Sequence, residues 1–387
     1  MNDLGLYIHV PFCKHACPYC DFYKVELRAI PAATRLAFID VVQQEFLLHV
    51  TANPGLVERR LESIYFGGGT PSTLKPEQVG DFVTFLKSSF AGAPTAEVTL
   101  EANPENLTPA RCAKWRRAGI NRLSIGVQTF ADRHLERLER LHRVDVIGEA
   151  VANARAAGFD NLSLDLMFAL PDQTMEEWRE SLRRAVEQQP DHLSFYGLTY
   201  HEHTPFFDDL QNGTLHELDE DLQAEMYLAG CEYLRAQGFE HYEISNFAKP
   251  GKRSHHNQRY WSRGDVLGLG PGAHSNLGAQ RWSVPEELES WQEAVGENML
   301  LKAGEEPLTR QQQDGERLFT ALRRAEGISR TESKRLHEAA MNWYRANADD
   351  VADYALVDGD AFRLTEIGWL VSDAIIRDVM KLLRKSH

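Results

Sequence analysis

The stretch that decides the fold reads Tyr7-Ile8-His9-Val10-Pro11-Phe12-Cys13-Lys14-His15-Ala16-Cys17-Pro18-Tyr19-Cys20-Asp21-Phe22. A strand-like apolar run ends at Val10, and three cysteines follow at Cys-x3-Cys-x2-Cys spacing. Five cysteines scattered at random over a chain of this length would produce that spacing in about one chain in a thousand. A structural zinc site asks for a fourth Cys or His nearby. His15 lies inside the loop, but no second Cys-x2-Cys or His-x3-His follows. Three thiolates on a short loop suit three irons of a [4Fe–4S] cluster and leave the fourth iron open to a non-protein ligand. Zinc or redox thiols are the alternatives.

The chain has 387 residues, 43% of them hydrophobic and 26% charged, which excludes global disorder and predicts two or three units or one barrel with an appendage. With Lys+Arg 42 and Asp+Glu 57, the net charge of −15 argues against nucleic-acid binding driven by a basic surface. No apolar run reaches the roughly 18 residues of a membrane span, and the first residues lack the basic and apolar regions of a secretory signal. The expected location is cytoplasmic, and the protein is not expected to be an integral membrane protein. An odd number of cysteines, three of them within eight residues, is unlike a disulfide framework. Cys112 and Cys231 sit in helical patterns and read as buried small apolar residues.

Strand-like runs at 6–10, 63–66, 97–101, 122–126, 162–168 and 192–198 alternate with helical patterns at 32–50, 76–90, 109–118, 144–157 and 174–188. Six such strands predict right-handed βαβ units and a parallel sheet, open or curled into a partial (β/α)6 barrel. The predicted organisation is a partial barrel over 1–215, a barrel extension over 216–300, loop-rich after a helix at 221–237 and a strand near 241–244, and a mostly helical, winged-helix-like domain over 301–387. The last carries helical patterns at 315–324, 329–347 and 366–381 around a hairpin at 356–364 with an Asp-Gly turn. It reads as a lid or docking domain.

In parallel sheets, sites gather at the carboxyl ends of strands. Cys13 follows strand one, Gly67-Gly68-Gly69-Thr70-Pro71 strand two, and Glu101 ends strand three; Gly126-Val127-Gln128-Thr129 follows strand four, and Asp165 lies in strand five. Three consecutive glycines let backbone approach a ligand and can supply amide donors. Glu101 can accept hydrogen bonds from the hydroxyls of a ligand, and Gln128, Arg140 and Asp165 offer polar contacts to the same ligand. Arg140 stands in Leu135-Glu136-Arg137-Leu138-Glu139-Arg140, where a solvated helix face is the competing reading. A buried, unpartnered Asp165 would be costly.

The cysteine spacing, Tyr19 before the third cysteine and the preceding strand resemble the radical S-adenosylmethionine superfamily. There the open iron is chelated by the amino and carboxylate groups of S-adenosylmethionine, and the protein holds cluster and sulfonium in register. Tyr7 to Cys13, Phe66-Gly67-Gly68-Gly69-Thr70-Pro71-Ser72, Gly126-Val127-Gln128-Thr129-Phe130, Asp165-Leu166-Met167 and Leu170-Pro171-Asp172-Gln173-Thr174 are similar to the coproporphyrinogen-dehydrogenase branch. That resemblance implies cluster ligation by Cys13, Cys17 and Cys20. It implies cofactor contacts at Tyr7, Tyr19, Gly68, Gly69, Thr70, Glu101, Gln128, Arg140 and Asp165.

Within that branch, the oxidative decarboxylases carry a further cysteine two places after the triplet and an N-terminal extension. Here Phe22 holds that place, and twelve residues precede Cys13. The triplet followed by Asp21-Phe22 resembles the HemW-type haem-chaperone family instead. His256-Asn257-Gln258-Arg259-Tyr260-Trp261 is similar to that family's His-Asn-x-x-Tyr haem motif, which implies haem contacts at His256 and Tyr260. Imidazole and phenolate are haem-iron ligand types and aromatic faces suit a flat macrocycle. His255 is an adjacent candidate, and the competing reading has His256-Asn257 capping a turn and Tyr260-Trp261 in the core. His201-Glu202-His203 after strand six reads as a solvated loop over a metal or haem site. The expected function is a cytosolic haem chaperone holding a [4Fe–4S] cluster, S-adenosylmethionine and haem. Its expected partners are haem-protein acceptors, with the chain a monomer or homodimer. The alternative is radical oxidative decarboxylation of coproporphyrinogen III.

Overall fold

A computed structural model describes residues 3–90, 95–347 and 351–385. The six expected strands are present as β1 (Asp3–Val10), β2 (Arg60–Gly68), β3 (Glu97–Ala102), β4 (Arg122–Gln128), β5 (Leu162–Phe168) and β6 (His192–Gly197). They pair in sequence order, all parallel. Between them run α1 (Ala32–Ala52), α2 (Pro76–Ser89), α3 (Pro109–Arg117), α4 (Asp132–Arg137), α5 (Val144–Ala156) and α6 (Met175–Glu187).

Strand alternation divides these strands into two faces. Leu4, Leu6, Ile8 and Val10 of β1, Leu123, Ile125 and Val127 of β4, and Leu162, Leu164 and Leu166 of β5 are fully buried in the layer shared with the helices. The opposite face is polar: Tyr7 and His9, Tyr65, Glu101, Ser124 and Gln128, Asp165, Ser194 and Tyr196. Residues of that face from β2 to β6 line one cavity, so the sheet curls around them.

After residue 215 the helix expected at 221–237 and the strand expected near 241–244 are present, and the stretch beyond them departs from expectation. Where a loop-rich stretch was expected, the sheet continues on both flanks. Following α7 (Pro205–Gln211) and α8 (Glu220–Ala236), the hairpin β7 (Glu240–Glu243) and β8 (Asn246–Ala248) adds antiparallel strands to β6. Then α9 (His255–Trp261) leads into β9 (Val266–Leu269), a seventh parallel strand laid beside β1. β10 (His274–Leu277), β11 (Gln280–Ser283) and β12 (Ala303–Pro307) extend that flank antiparallel, with α10 (Leu288–Gly296) between the last two. The order is β12-β11-β10-β9-β1-β2-β3-β4-β5-β6-β8-β7, an open twelve-stranded mixed sheet. Strands of three to five residues separated by glycine turns carry too little periodicity to stand out from loop.

The C-terminal segment contains α11 (Arg310–Ala321), β13 (Ile328–Ser329), α12 (Lys334–Ala346), β14 (Ala355–Asp358), β15 (Ala361–Leu364), α13 (Glu366–Leu370) and α14 (Ser372–Lys385). The expected hairpin turns through Gly359 at φ 58° and joins a three-stranded sheet. The helix expected over 366–381 is two helices, broken at Val371. Within this segment the Trp369 indole N–H donates to Leu322 O at the end of α11 at 2.9 Å, and the Trp369 ring ties the segment to the rest by meeting His241 of β7 edge-on at 4.6 Å. Among the described residues no helix is long and apolar enough to cross a membrane. Cys112 and Cys231 are buried in α3 and α8, as expected.

The helical layer is held by large buried side chains. Trp178 of α6 is fully buried, packs edge-on against Phe195 at 5.5 Å, and donates to Met226 O of α8 at 2.7 Å. Trp178→Ala is therefore expected to cost about 3–5 kcal/mol of folding stability, read as a lower urea midpoint with an unchanged denaturant slope.

Candidate functional site

Two loops at the carboxyl ends of β1 and β2 are clamped together by backbone hydrogen bonds. Gly69 N donates to Val10 O at 2.9 Å and Thr70 N to Phe12 O at 2.8 Å. The Thr70 hydroxyl reaches Cys13 Sγ at 3.5 Å. The clamp leaves no room for a side chain at Gly69: a Cβ there would meet Pro11 C and Val10 O at 2.9 Å and Cys13 Sγ at 3.0 Å. Gly68 has φ +106°, and its amide donates to Glu101 Oε2 at 3.1 Å. All three amides are thus satisfied within the fold. What the glycine loop offers a ligand is bare backbone surface, not the free amide donors expected from the sequence.

Cys13, Cys17 and Cys20 line a small cavity of about 60 Å3 together with Gly68, Gly69 and Thr70. Burial pushes the Cys13 thiol up to about 11 and raises Cys20, so neither ionises readily without a metal beside it. Cations stand close: Lys24 Nζ donates to Cys20 O at 2.5 Å, and Arg140 Nη1 lies 3.7 Å from Cys17 Sγ. His15 borders the same hollow with its Nε2 engaged by Glu139, 2.6 Å from Oε2. Three free thiols facing one hollow, bounded by a glycine whose Cβ would fill it, fit a cluster held through three irons.

The thiol cavity shares Tyr19, Gly68, Gly69, Thr70 and Arg140 with a larger one of about 480 Å3 inside the barrel, whose lining also includes Glu101, Gln128 and Asp165. Eight of the nine expected cofactor contacts therefore border a single hollow. Tyr7 does not; it stands behind the wall, its hydroxyl 3.1 Å from His9 Nδ1 and its ring stacked toward Tyr65 at 6.2 Å. Tyr65 in turn donates to Glu101 Oε1 at 2.8 Å. Burial raises Glu101 to about 7; the Tyr65 hydrogen bond opposes this rise and the Asp165 charge adds to it. Asp165, also raised by burial, accepts from Ser124 Oγ at 2.9 Å and Ser163 Oγ at 3.2 Å.

The structure departs from the competing reading of Arg140 as part of a solvated helix face. Helix α4 stops at Arg137, and Glu139 at φ 52° turns the chain so that the Arg140 side chain enters the barrel mouth. There Nη2 donates to Asn103 Oδ1 at 2.6 Å and Gly126 O at 3.1 Å. Asn103, Tyr65, Ser124 and Tyr196 line the cavity without having been singled out. For the strand residues the signal was there, since each keeps the two-residue register of an assigned neighbour on its own or an adjoining strand. Phe22 is 61% exposed at the cavity mouth, and His201 beside it stands 3.3 Å from Asp21 Oδ2.

His256 and Tyr260 fall on helix α9, capped by Ser254, where a capped turn was the competing expectation. His256 is only 1% exposed: Nδ1 is 2.9 Å from Ser63 Oγ, Nε2 is sealed without a partner, and its ring stacks on Tyr65 at 4.9 Å. Burial, with Arg259 and Arg122 nearby, pushes it down to about 3, so it is neutral. Tyr260 is 39% exposed and meets the His256 ring edge-on at 5.1 Å.

Gly69→Ala is expected to abolish most iron and sulfide uptake on anaerobic reconstitution while the circular-dichroism spectrum is retained. S-adenosylmethionine affinity, measured by calorimetry, is expected to fall as the pH drops from 8 to 6. Protonation of Glu101 through about 7 removes a carboxylate acceptor for ribose hydroxyls, and Glu101→Gln should flatten the profile at weak affinity.

The family model of the radical SAM superfamily matches residues 7–185. "Heme chaperone HemW" of Bacillus subtilis is 33% identical over 373 residues, 95% of this chain and 97% of that one. The protein of the same name from Escherichia coli is 38% identical over 281 residues, 72% of this chain and 71% of that one. Among solved structures, the coproporphyrinogen III oxidase HemN of Escherichia coli superposes with a TM-score of 0.79 at 23% identity, covering 99% of this chain and 90% of that one, a likeness of fold. With a radical SAM match that holds the cysteine loop and the glycine turn, and with such identity along nearly its whole length, the chain belongs to the HemW family of the radical SAM superfamily.

Proposed function

We propose that this protein is a haem chaperone that binds a [4Fe–4S] cluster and S-adenosylmethionine and delivers haem to haem proteins. The observation that carries it is the shared wall between a three-thiol hollow and a polar, nucleoside-sized cavity, in a chain that resembles proteins named heme chaperones from end to end. Cys13, Cys17 and Cys20 hold the cluster, whose fourth iron would be open to S-adenosylmethionine. Gly68, Gly69 and Thr70 border its methionyl end and Glu101 accepts from the ribose. Tyr19, Gln128, Arg140 and Asp165 complete the polar surround, and Tyr7 supports Tyr65 from behind. Haem belongs with the His256–Tyr260 helix, Tyr260 being the member of that pair with open surface. The segment 301–387 serves as the docking unit for an acceptor, in the cytoplasm. Phe22, in place of a further cysteine, weighs against decarboxylation of coproporphyrinogen.

Cluster-loaded protein is expected to give a saturable Soret change on titration with haem and to transfer that haem to an apo-cytochrome. Failure to bind haem, or conversion of coproporphyrinogen III to protoporphyrinogen under anaerobic reducing conditions, would overturn the assignment.

A further inference from the structure

A second cavity, of about 790 Å3, lies on the flank of the sheet beyond β1. That volume is within the range of ligand sites. Tyr260 and Trp261 of α9, Trp282 of β11 and Phe319 of α11 give it aromatic walls, Phe319 being 45% exposed. The Trp282 ring already carries His49 and Lys302 and one face of Phe319 carries Arg323, so Tyr260, Trp261 and the free face of Phe319 are the surfaces offered to a planar apolar ligand. It is partitioned from the cofactor cavity by the stack of Tyr65, Tyr7 and His256, with Tyr260 set against His256.

The wall also carries a place for an anion. Arg263 and Arg281 both pair with the single carboxylate of Glu316, at 2.7 and 2.6 Å. Two guanidiniums on one carboxylate leave a surplus positive charge, in a chain whose net charge is −15. Arg263 is 8% exposed along its side chain, and its Nη2 is buried with no hydrogen-bond partner. A buried guanidinium N–H without a partner is an uncommon and costly arrangement, and a ligand carboxylate would satisfy it.

One imidazole faces this cavity. His274, at the start of β10, is exposed and lines the hollow, and among the described residues its ring has no hydrogen-bond or ion-pair partner. The contrast with His256 is sharp, because the His256 ring is sealed on every side and reaching it would require α9 to leave the sheet.

We propose that this cavity holds the haem, with His274 supplying the nitrogen ligand to iron and the Arg263–Arg281 pair receiving a propionate. This rests on the haem-chaperone function proposed above and assigns its site. His256 is then a positioning residue that fixes Tyr260 in the cavity wall.

The test compares full-length, cluster-loaded wild type with His274→Ala and His256→Ala, titrated with ferric haem and with iron-free protoporphyrin IX. Electron paramagnetic resonance and resonance Raman spectra report the iron ligand. Expected are an imidazole-ligated spectrum in wild type and in His256→Ala, and its loss in His274→Ala. Haem affinity in His274→Ala should weaken by about tenfold or more, equivalent to about 1.4 kcal/mol, and added imidazole should restore the spectrum. Iron-free porphyrin should bind wild type and His274→Ala alike, which separates a lost iron bond from a lost fold. If wild type binds haem and His274→Ala keeps its spectrum and affinity, the site assignment is overturned while the chaperone function stands. If wild type shows no nitrogen ligand, the assignment of His274 is overturned; if it binds no haem at all, both fall.

Discussion

Two backbone hydrogen bonds, from Gly69 to Val10 and from Thr70 to Phe12, hold the cysteine loop against the glycine turn, and the geometry of the candidate site depends on them. Each is an ordinary amide–carbonyl bond worth about 1 kcal/mol net. Their weight is geometric. They set Cys13 over Gly69 at a separation that no side chain can enter, so the thiol hollow and the cofactor cavity share one thin wall. A cluster there would sit within direct reach of a ligand in the barrel, which is the arrangement an open iron needs.

The lumen follows from the same strands. A parallel sheet covered by helices on its outer face buries one alternation of every strand in hydrocarbon, and the other alternation is free to be polar. The price of that polarity is visible in the buried groups: Glu101 is raised to about 7, and Asp165 needs serine hydroxyls to keep it company. The stack of Tyr7, Tyr65 and His256 then separates the polar lumen from the aromatic hollow beside Tyr260. One concave sheet thereby carries two compartments of different chemistry.

The parts of this arrangement legible in the sequence were those with strong local periodicity or a repeated spacing. Six strands stood out as apolar runs of four or more residues, most of them followed by a helical pattern, and the glycine turn, weak evidence by itself, stood out through its place one strand after the cysteine loop. Arg140 was harder. Its neighbours Glu136, Arg137, Glu139 and Arg143 have the charge pattern of a solvated helix, and only the left-handed turn at Glu139 carries its side chain inward. Strands β9 to β12 were illegible for a different reason. A four-residue strand gains its identity from its partner, and the partner of Val266–Leu269 is β1, more than 250 residues earlier.

By itself, then, the sequence determined which chemistry is present: three thiols at cluster spacing, a polar alternation on six strands, and a histidine and tyrosine one helical turn apart. Local composition and periodicity are enough for that, because spacing along a chain is fixed by covalent geometry. Tertiary structure decided accessibility. His256, prominent in its motif, is packed beneath the sheet between Ser63 and Tyr65, whereas His274, which no motif marks, opens onto a cavity. Burial depends on which distant strands and helices close over a side chain, and no run of neighbouring residues encodes it.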